Sequence, residues 1–121
     1  MREVRLMISE GLIINGKNIT SEDEISDFFA EDLFECHIGD YTLSVEFAED
    51  GSAFIGWLNG DDEVYYFDNG SGHKKPVDLL INVCPEERMM CYKLESIVDI
   101  VMYFCETGAR DPMYDWIKEE F

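Results

Sequence analysis

Side chains that commonly perform chemistry in proteins are few in this chain and lie far apart. Its two histidines are His37 and His73. Neither has a Cys, Ser or carboxylate at a spacing that local structure turns into a catalytic triad or a zinc site. Gly70-Ser71-Gly72 is too short for a phosphate-binding loop, and no helical pattern follows it. The sequence therefore predicts a protein that is not an enzyme and that uses no cofactor.

A metal site is not expected either. Asp61-Asp62-Glu63 brings three carboxylates together, but the run lacks the alternating oxygen ligands and the distal Glu of an EF-hand. The cysteines form no Cys-x-x-Cys pair, and each sits singly in an apolar or mixed segment, which predicts small buried side chains in a reducing compartment. These cysteines are Cys36, Cys84, Cys91 and Cys105.

Aromatic residues framed by carboxylates, between Trp57 and Asp68, favour binding over catalysis. Aromatic rings supply contact area at a low cost in entropy, and carboxylates steer association and pair with Lys or Arg. Ordinary packing within a sheet is the alternative for the rings, above all for Trp57. The candidate partner-binding residues are Trp57, Asp61, Asp62, Glu63, Tyr65, Tyr66 and Asp68.

Strong acidity restricts the kinds of partner. The chain of 121 residues has 9 Lys and Arg against 27 Asp and Glu, which gives a formal net charge of -18. Such a field repels the phosphates of nucleic acid and anionic membrane surfaces, so we expect no direct binding to either. It attracts basic partners, although acidity that serves only solubility is the alternative.

Compartment is predicted from the start of the chain and from its apolar stretches. Met1-Arg2-Glu3-Val4-Arg5 is not followed by the apolar core and cleavage site of a signal peptide. No stretch reaches the length of a membrane span. Together with the single cysteines, these features predict a cytoplasmic protein.

Apolar periodicity predicts an α+β fold, in which an antiparallel meander of about five strands packs with two main helices. No linker or repeat interrupts the chain, so residues 1–121 are expected to form one two-layer domain. Val4, Leu6 and Ile8 indicate a first strand, and a second runs from Leu12 into the Asn15-Gly16 turn. The later strands are predicted at Tyr41 to Phe47, Ala53 to Leu58, Val64 to Phe67 and Val77 to Val83.

The first helix is predicted to start at Ser21, which forms a capping box with Glu24. Apolar residues then recur at helical spacing and predict a core face that continues to Cys36. This core face comprises Ile25, Phe28, Phe29, Leu33 and Cys36. Acidic residues at every fourth position predict a solvated face, which comprises Asp27, Glu31 and Glu35.

The second helix is predicted to begin near Glu95 or Ser96, with Ser96 and Asp99 as a weaker capping box. Its surface is almost wholly apolar, so it is expected to be the main helix on the sheet. Gly108 is expected to end it and Pro112 to prevent its resumption. Residues 88–94 before it are irregular or one short strand. Residues 113–117 after it are a strand or a tail with a buried Trp116.

The segment from Phe104 to Trp116, with its helix end, Gly108, Pro112 and Trp, resembles the closing signature of the first-numbered immunity family of bacterial polymorphic-toxin systems. The resemblance also covers the early strand, the capped first helix, the acidic and aromatic hairpin, and the Pro before the second helix. The second helix departs from the family pattern, because it carries Ile, Val, Met and Phe where several Ala are expected.

This resemblance implies a small α+β protein that silences a cognate toxin domain, either a deaminase or a nuclease. Its acidic surface would occupy the basic cleft of the toxin in place of substrate. The resemblance supplies no contact residues, since family members face divergent toxins. Composition leaves a second possibility open, an acidic adaptor or regulatory module that binds a basic host protein.

Overall fold

The structure, a computed structural model, describes residues 7–79 and 84–119. An antiparallel sheet with a long helix on one face gives the predicted α+β fold. The helices are α1 (Glu22–Asp27) and α2 (Leu94–Thr107), and short 3-10 turns occupy Phe28–Ala30 and Glu87–Met89. The strands are β1 (Ile13–Ile14), β2 (Lys17–Asn18), β3 (Leu33–Ile38), β4 (Tyr41–Phe47), β5 (Ala53–Asn59), β6 (Glu63–Asp68), β7 (Met90–Cys91) and β8 (Asp115–Lys118).

The strand order in the sheet is β2-β1-β3-β4-β5-β6-β8, and every pairing is antiparallel. Consecutive hairpins from β3 to β6 form a meander, in which β4, β5 and β6 match predicted strands and β3 does not. β5 is central, because β4 pairs along one of its edges while β7 and β6 share the other. The sheet has more strands than predicted, since short strands add to both ends of the meander and beside β5.

The core lies between α2 and one face of the sheet. Alternate residues of the central strands point to this face, as the two-residue period of a strand requires. Those residues include Leu43, Val45, Ile55 and Trp57, which are all buried. The helix meets them with Ile97, Ile100, Val101, Phe104 and Cys105, which are buried in the same cluster.

The end of α2 follows the prediction. Gly108 adopts the left-handed conformation (φ 75°), and its N–H donates to the carbonyl of Phe104 at 2.7 Å. The Cys105 carbonyl, which has no partner within the helix, accepts the backbone N–H of Ser9 at 2.8 Å. The chain then turns back over the sheet and enters β8, which pairs with β6. Of the predicted strand or tail, the structure has the strand, and Trp116 in it is half-buried where the sequence predicted a buried side chain.

Helix α1 starts as predicted but ends early. Ser21 caps it by accepting the Glu24 N–H at 3.4 Å, and the Glu24 carboxylate accepts the backbone N–H of Thr20 at 3.2 Å. The helix stops at Asp27, and Leu33 and Cys36 belong to strand β3. The predicted helical core face and acidic face therefore do not exist as such: Asp27 ends α1, Glu31 follows the 3-10 turn, and Glu35 lies in β3.

The alternation of burial along β3 explains this correction. Phe34 and Cys36 are completely buried, whereas Glu35 between them is exposed. Phe, Cys and Ile fit a half-buried strand better than a helix. β3 pairs with β4 along its whole length and with β1 at Cys36 and His37, and a continued α1 would leave these edges of β1 and β4 without a partner.

Several smaller predictions also differ from the structure. The second helix has Lys93 as its N-cap, so Ser96 and Asp99 are interior residues and form no capping box. Cys84 is exposed, whereas Cys36, Cys91 and Cys105 are buried as predicted. The predicted strand at Val77 to Val83 is absent over its described part, 77–79, and its residues 80–83 lie outside the described ranges. Val4 and Leu6 of the predicted first strand also lie outside them, and Ile8 belongs to no strand.

Alanine substitutions in β3 distinguish a strand from the predicted helix. Phe34→Ala is expected to lower the free energy of unfolding by about 3–5 kcal/mol, because it opens a cavity in the core. Leu33→Ala removes a half-buried side chain and should cost clearly less. Denaturant titration of both variants measures the two costs. A larger loss for Leu33→Ala than for Phe34→Ala would contradict the strand.

Candidate functional site

The seven predicted binding residues divide among three places. Trp57, Glu63 and Tyr65 lie on the sheet face that α2 covers, because Trp57 pairs with Tyr65 and Asn59 with Glu63. Asp61 and Asp62 form the exposed turn between β5 and β6. Tyr66 and Asp68 project to the opposite face, as alternation along β6 requires.

A loop that follows α2 folds over Trp57 and Tyr65. The guanidinium carbon of Arg110 lies 3.5 Å from the centre of the Tyr65 ring and 4.9 Å from that of Trp57. Arg110 is thus held by cation–π contacts. The loop, residues 108–112, lines an open cavity of about 530 Å³, which we call the Arg110 cavity. Its other lining residues include Tyr41, Asn59, Glu63 and Trp116.

Polar groups fix the walls of the Arg110 cavity. The indole N–H of Trp57 donates to the Gly108 carbonyl at 3.0 Å, and that of Trp116 donates to the Asp111 carbonyl at 3.1 Å. Glu63 accepts from the Asn59 amide at 3.3 Å and from the Tyr65 hydroxyl at 3.4 Å. The predicted aromatic residues on this face therefore serve mainly to build a rigid base, and Trp57 is only 6% exposed.

Two acidic turns meet at the mouth of this cavity. The backbone N–H of Gly60, in the β5–β6 turn, donates to the carbonyl of Asp40, in the β3–β4 turn, at 2.9 Å. Tyr41 is 40% exposed and stacks on Trp57, with ring centres 5.6 Å apart and planes inclined by 22°. We call the resulting surface the acidic edge, and it comprises Asp40, Tyr41, Asp61, Asp62 and Glu63.

Sequence reasoning missed Asp40, Tyr41 and Arg110 as members of this site. A Gly39-Asp40 pair between two apolar runs is a hairpin signal, but the overlong first helix obscured the strand before it. Arg110 gave no local signal, because its aromatic partners Tyr65 and Trp57 lie 45 and 53 positions earlier in the chain.

Tyr66 and Asp68 belong to a different surface. The Tyr66 ring stacks on Phe54 with centres 5.1 Å apart, and its hydroxyl donates to Glu119 at 2.8 Å. Asp68 lies opposite Asp115 in the register of β6 and β8, and one of its carboxylate oxygens accepts the Gly70 N–H at 2.9 Å. Neither residue lies on the acidic edge.

Groups suited to catalysis or metal binding are dispersed. The His37 ring lies 3.0 Å from the Thr42 hydroxyl and 3.5 Å from Glu35, while His73 lies 3.6 Å from Glu87. Within residues 7–79 and 84–119, no three His, Cys, Asp or Glu side chains converge as ligands for a metal ion. No helix in these two ranges has the length and apolarity needed to cross a bilayer.

Tyr66 supplies a titration test of this geometry. Burial, together with the hydrogen bond to Glu119 and its negative charge, raises the pKa of Tyr66 to about 12. A tyrosine in an unfolded chain has a pKa of about 10, so this group's stabilising contribution is present below about pH 10 and is lost as the pH rises toward 12.

Ultraviolet absorbance measures the ionisation of the tyrosines as the pH rises. The unsubstituted chain should show a transition near pH 12 that the Tyr66→Phe variant lacks. Glu119→Gln keeps an acceptor but removes the charge, so it should lower the pKa of Tyr66. A Tyr66 transition near the ordinary pKa, or one that Glu119→Gln leaves in place, would be inconsistent with this contact.

Comparisons of the chain with protein-family models, with curated proteins and with solved structures gave no match. Support for a function therefore comes from the chain's own residues and their geometry. The acidic edge and the Arg110 cavity are the features that bring the most binding chemistry together.

Proposed function

We propose that this protein is an immunity protein that binds a cognate bacterial toxin, a deaminase or a nuclease, and blocks its basic substrate cleft with the acidic edge. One observation carries the proposal: two acidic turns, distant in sequence, meet beside an exposed tyrosine on a rigid aromatic base. The choice of a toxin as the basic partner comes from the resemblance of residues 104–116 to an immunity-family signature.

Charge gives the proposed mechanism its first step. A net charge of -18 attracts a basic cleft over several ångströms and raises the rate of encounter, particularly at low salt. Asp40, Asp61 and Asp62 are exposed at turn tips, where they are free to approach Lys and Arg side chains that otherwise bind substrate phosphates. The carboxylates thus take the place of the substrate's negative charge.

Shape gives the second step. Tyr41 is the most exposed ring of this surface, and its stack on the buried Trp57 limits its motion. A ring that is already ordered loses little entropy on binding, which suits it to anchor the centre of an interface. The hydrogen bond between the two turns holds the carboxylates in a fixed arrangement around it.

Location and partner class follow from the same proposal. An immunity protein protects the cell that makes it, so we propose that it acts in the cytoplasm against a toxin domain. It would act as a binding protein without catalytic chemistry, and without direct contact to nucleic acid or membrane.

An immunity protein is expected to be encoded directly after a large secreted protein that ends in its cognate toxin domain. The first candidate to test for binding is therefore the protein encoded before this one. Its C-terminal domain should co-purify with this chain, and co-expression should protect cells from its toxicity. Capture of a non-toxic basic protein with no toxin partner would instead favour the acidic adaptor.

Removal of charge from the acidic edge should slow association. Asp61→Asn with Asp62→Asn is expected to lower the association rate constant with the toxin domain by about tenfold at low salt, and to reduce its salt dependence. Tyr41→Ala should act mainly on dissociation. Surface plasmon resonance with a catalytically inactive toxin measures both rates.

A matched control removes the same charge elsewhere. Asp23→Asn with Asp27→Asn changes two exposed carboxylates of α1, away from the acidic edge. At about 0.15 M salt, where the Debye length is about 8 Å and distant exposed charges are largely screened, it should leave the association rate within about twofold, and the acidic-edge variant is compared with it under the same conditions. Equal effects of the two double variants would show that total charge, and not the acidic edge, drives binding.

A further inference from the structure

Exposed apolar side chains gather at the end of the sheet opposite the acidic edge. Leu94 is 62% exposed and Tyr92 is 55% exposed, on either side of the residue that caps α2. With the half-buried rings of Phe29 and Phe47 they border an open cavity of about 420 Å³. We call these four residues the apolar patch.

Fixed elements hold the apolar patch in place. Phe47 ends strand β4, and Phe29 lies in the 3-10 turn after α1. Both rings contact the fully buried Phe34, at 6.2 Å and 5.6 Å between ring centres. The backbone N–H of Phe47 donates to the Asp32 carbonyl at 2.8 Å, which ties the two segments together. The part of the surface that Phe29 and Phe47 form is therefore held in place.

Four exposed carboxylates line the same cavity, and we call them the carboxylate rim. They are Glu31, Asp32, Glu49 and Asp50. In the described ranges none of the four forms an ion pair with Lys or Arg. Hydrogen bonds from the Ser52 hydroxyl and N–H lower the pKa of Asp50, so this carboxylate stays charged. Lys93 is exposed between Tyr92 and Leu94 but does not line the cavity.

Charge decides which occupant fits. A second copy of this chain would bring another charge of -18 against the carboxylate rim, and an anionic membrane would also be repelled. An apolar surface bordered by unpaired carboxylates matches a segment that presents apolar side chains flanked by Lys or Arg. Such a segment removes the exposed Leu94 and Tyr92 from water and neutralises the rim at the same time.

We propose that the apolar patch and its carboxylate rim form a second docking surface, which takes a basic amphipathic segment of a partner protein. The surface lies at the Phe47 and Ala53 ends of β4 and β5, about 20 Å from the acidic edge at their Tyr41 and Asn59 ends. The inference does not rest on the proposed toxin neutralisation, and each surface can be disabled without changing the other.

A synthetic peptide tests this surface on the full chain. The probe has about 14 residues, with Leu on one helical face and Lys on the other. Two comparison peptides scramble the order of these residues or replace Lys by Glu. Nuclear magnetic resonance of the backbone amides should show the probe shifting signals around residues 29–32, 47–50 and 92–95, with weaker binding of the scrambled peptide and none of the Glu peptide.

Variants assign the binding to the patch. Leu94→Ser with Tyr92→Ser should weaken the probe's affinity by about tenfold or more, because apolar burial is lost. Met113→Ser is the control, since Met113 is 85% exposed outside this cavity. Glu31→Gln with Glu49→Gln should weaken binding more than Glu22→Gln with Asp27→Asn, which removes equal charge from α1. Unchanged melting temperatures confirm folding.

Four results would overturn the proposal. They are absence of binding, equal affinity for the scrambled peptide, shifts spread over the whole acidic surface, and self-association through the patch that Leu94→Ser abolishes. Loss of toxin binding in the acidic-edge variants, with peptide binding intact, would leave this inference standing while the proposed function is tested separately.

Discussion

The hydrogen bond from the Trp57 indole to the Gly108 carbonyl joins the centre of the sheet to the end of α2, and the rest of the site depends on it. Gly108 accepts the left-handed conformation that turns the chain back over Trp57. This turn carries Arg110 onto the Tyr65 ring and leads into β8, which completes the sheet beside β6. The segment from Phe104 to Trp116 therefore has a physical role: it clamps the helix to the sheet and forms one wall of the cavity.

Repulsion among the carboxylates opposes this compact fold. The proposed binding role accounts for why carboxylates are nevertheless held close together at the acidic edge. The two turns of the acidic edge are held together by a backbone hydrogen bond between Gly60 and Asp40, although their charges repel. A basic partner of the kind proposed would relieve that repulsion on binding. The two proposed binding surfaces differ in composition. The apolar patch, at the other end of β4 and β5, combines exposed apolar side chains with carboxylates, whereas the acidic edge combines carboxylates with one stacked ring.

Local chemistry made part of this structure predictable. The Ser21 cap, the Asn15-Gly16 turn and the Gly108 stop each depend on neighbouring residues, and the structure confirms all three. The stretch Leu33 to Ile38 was not predictable in the same way, because its apolar spacing fits a helix, and only pairing with β1 and β4 selects the strand. The contact of Arg110 with Tyr65 and the meeting of the two turns are products of the tertiary fold. Alternation along β6 also separates Tyr66 from Tyr65, which the sequence placed in one site.

Hydrogen–deuterium exchange of this protein, free and bound to a toxin domain that proves to be its proposed partner, tests the central claim most directly. Exchange should slow in both turns of the acidic edge, at residues 39–41 and 59–63, while the amides of α1 exchange at an unchanged rate. Protection that is confined to α1 or to the opposite sheet face around Tyr66, with both turns unaffected, would contradict the claim that the acidic edge occupies the toxin's cleft.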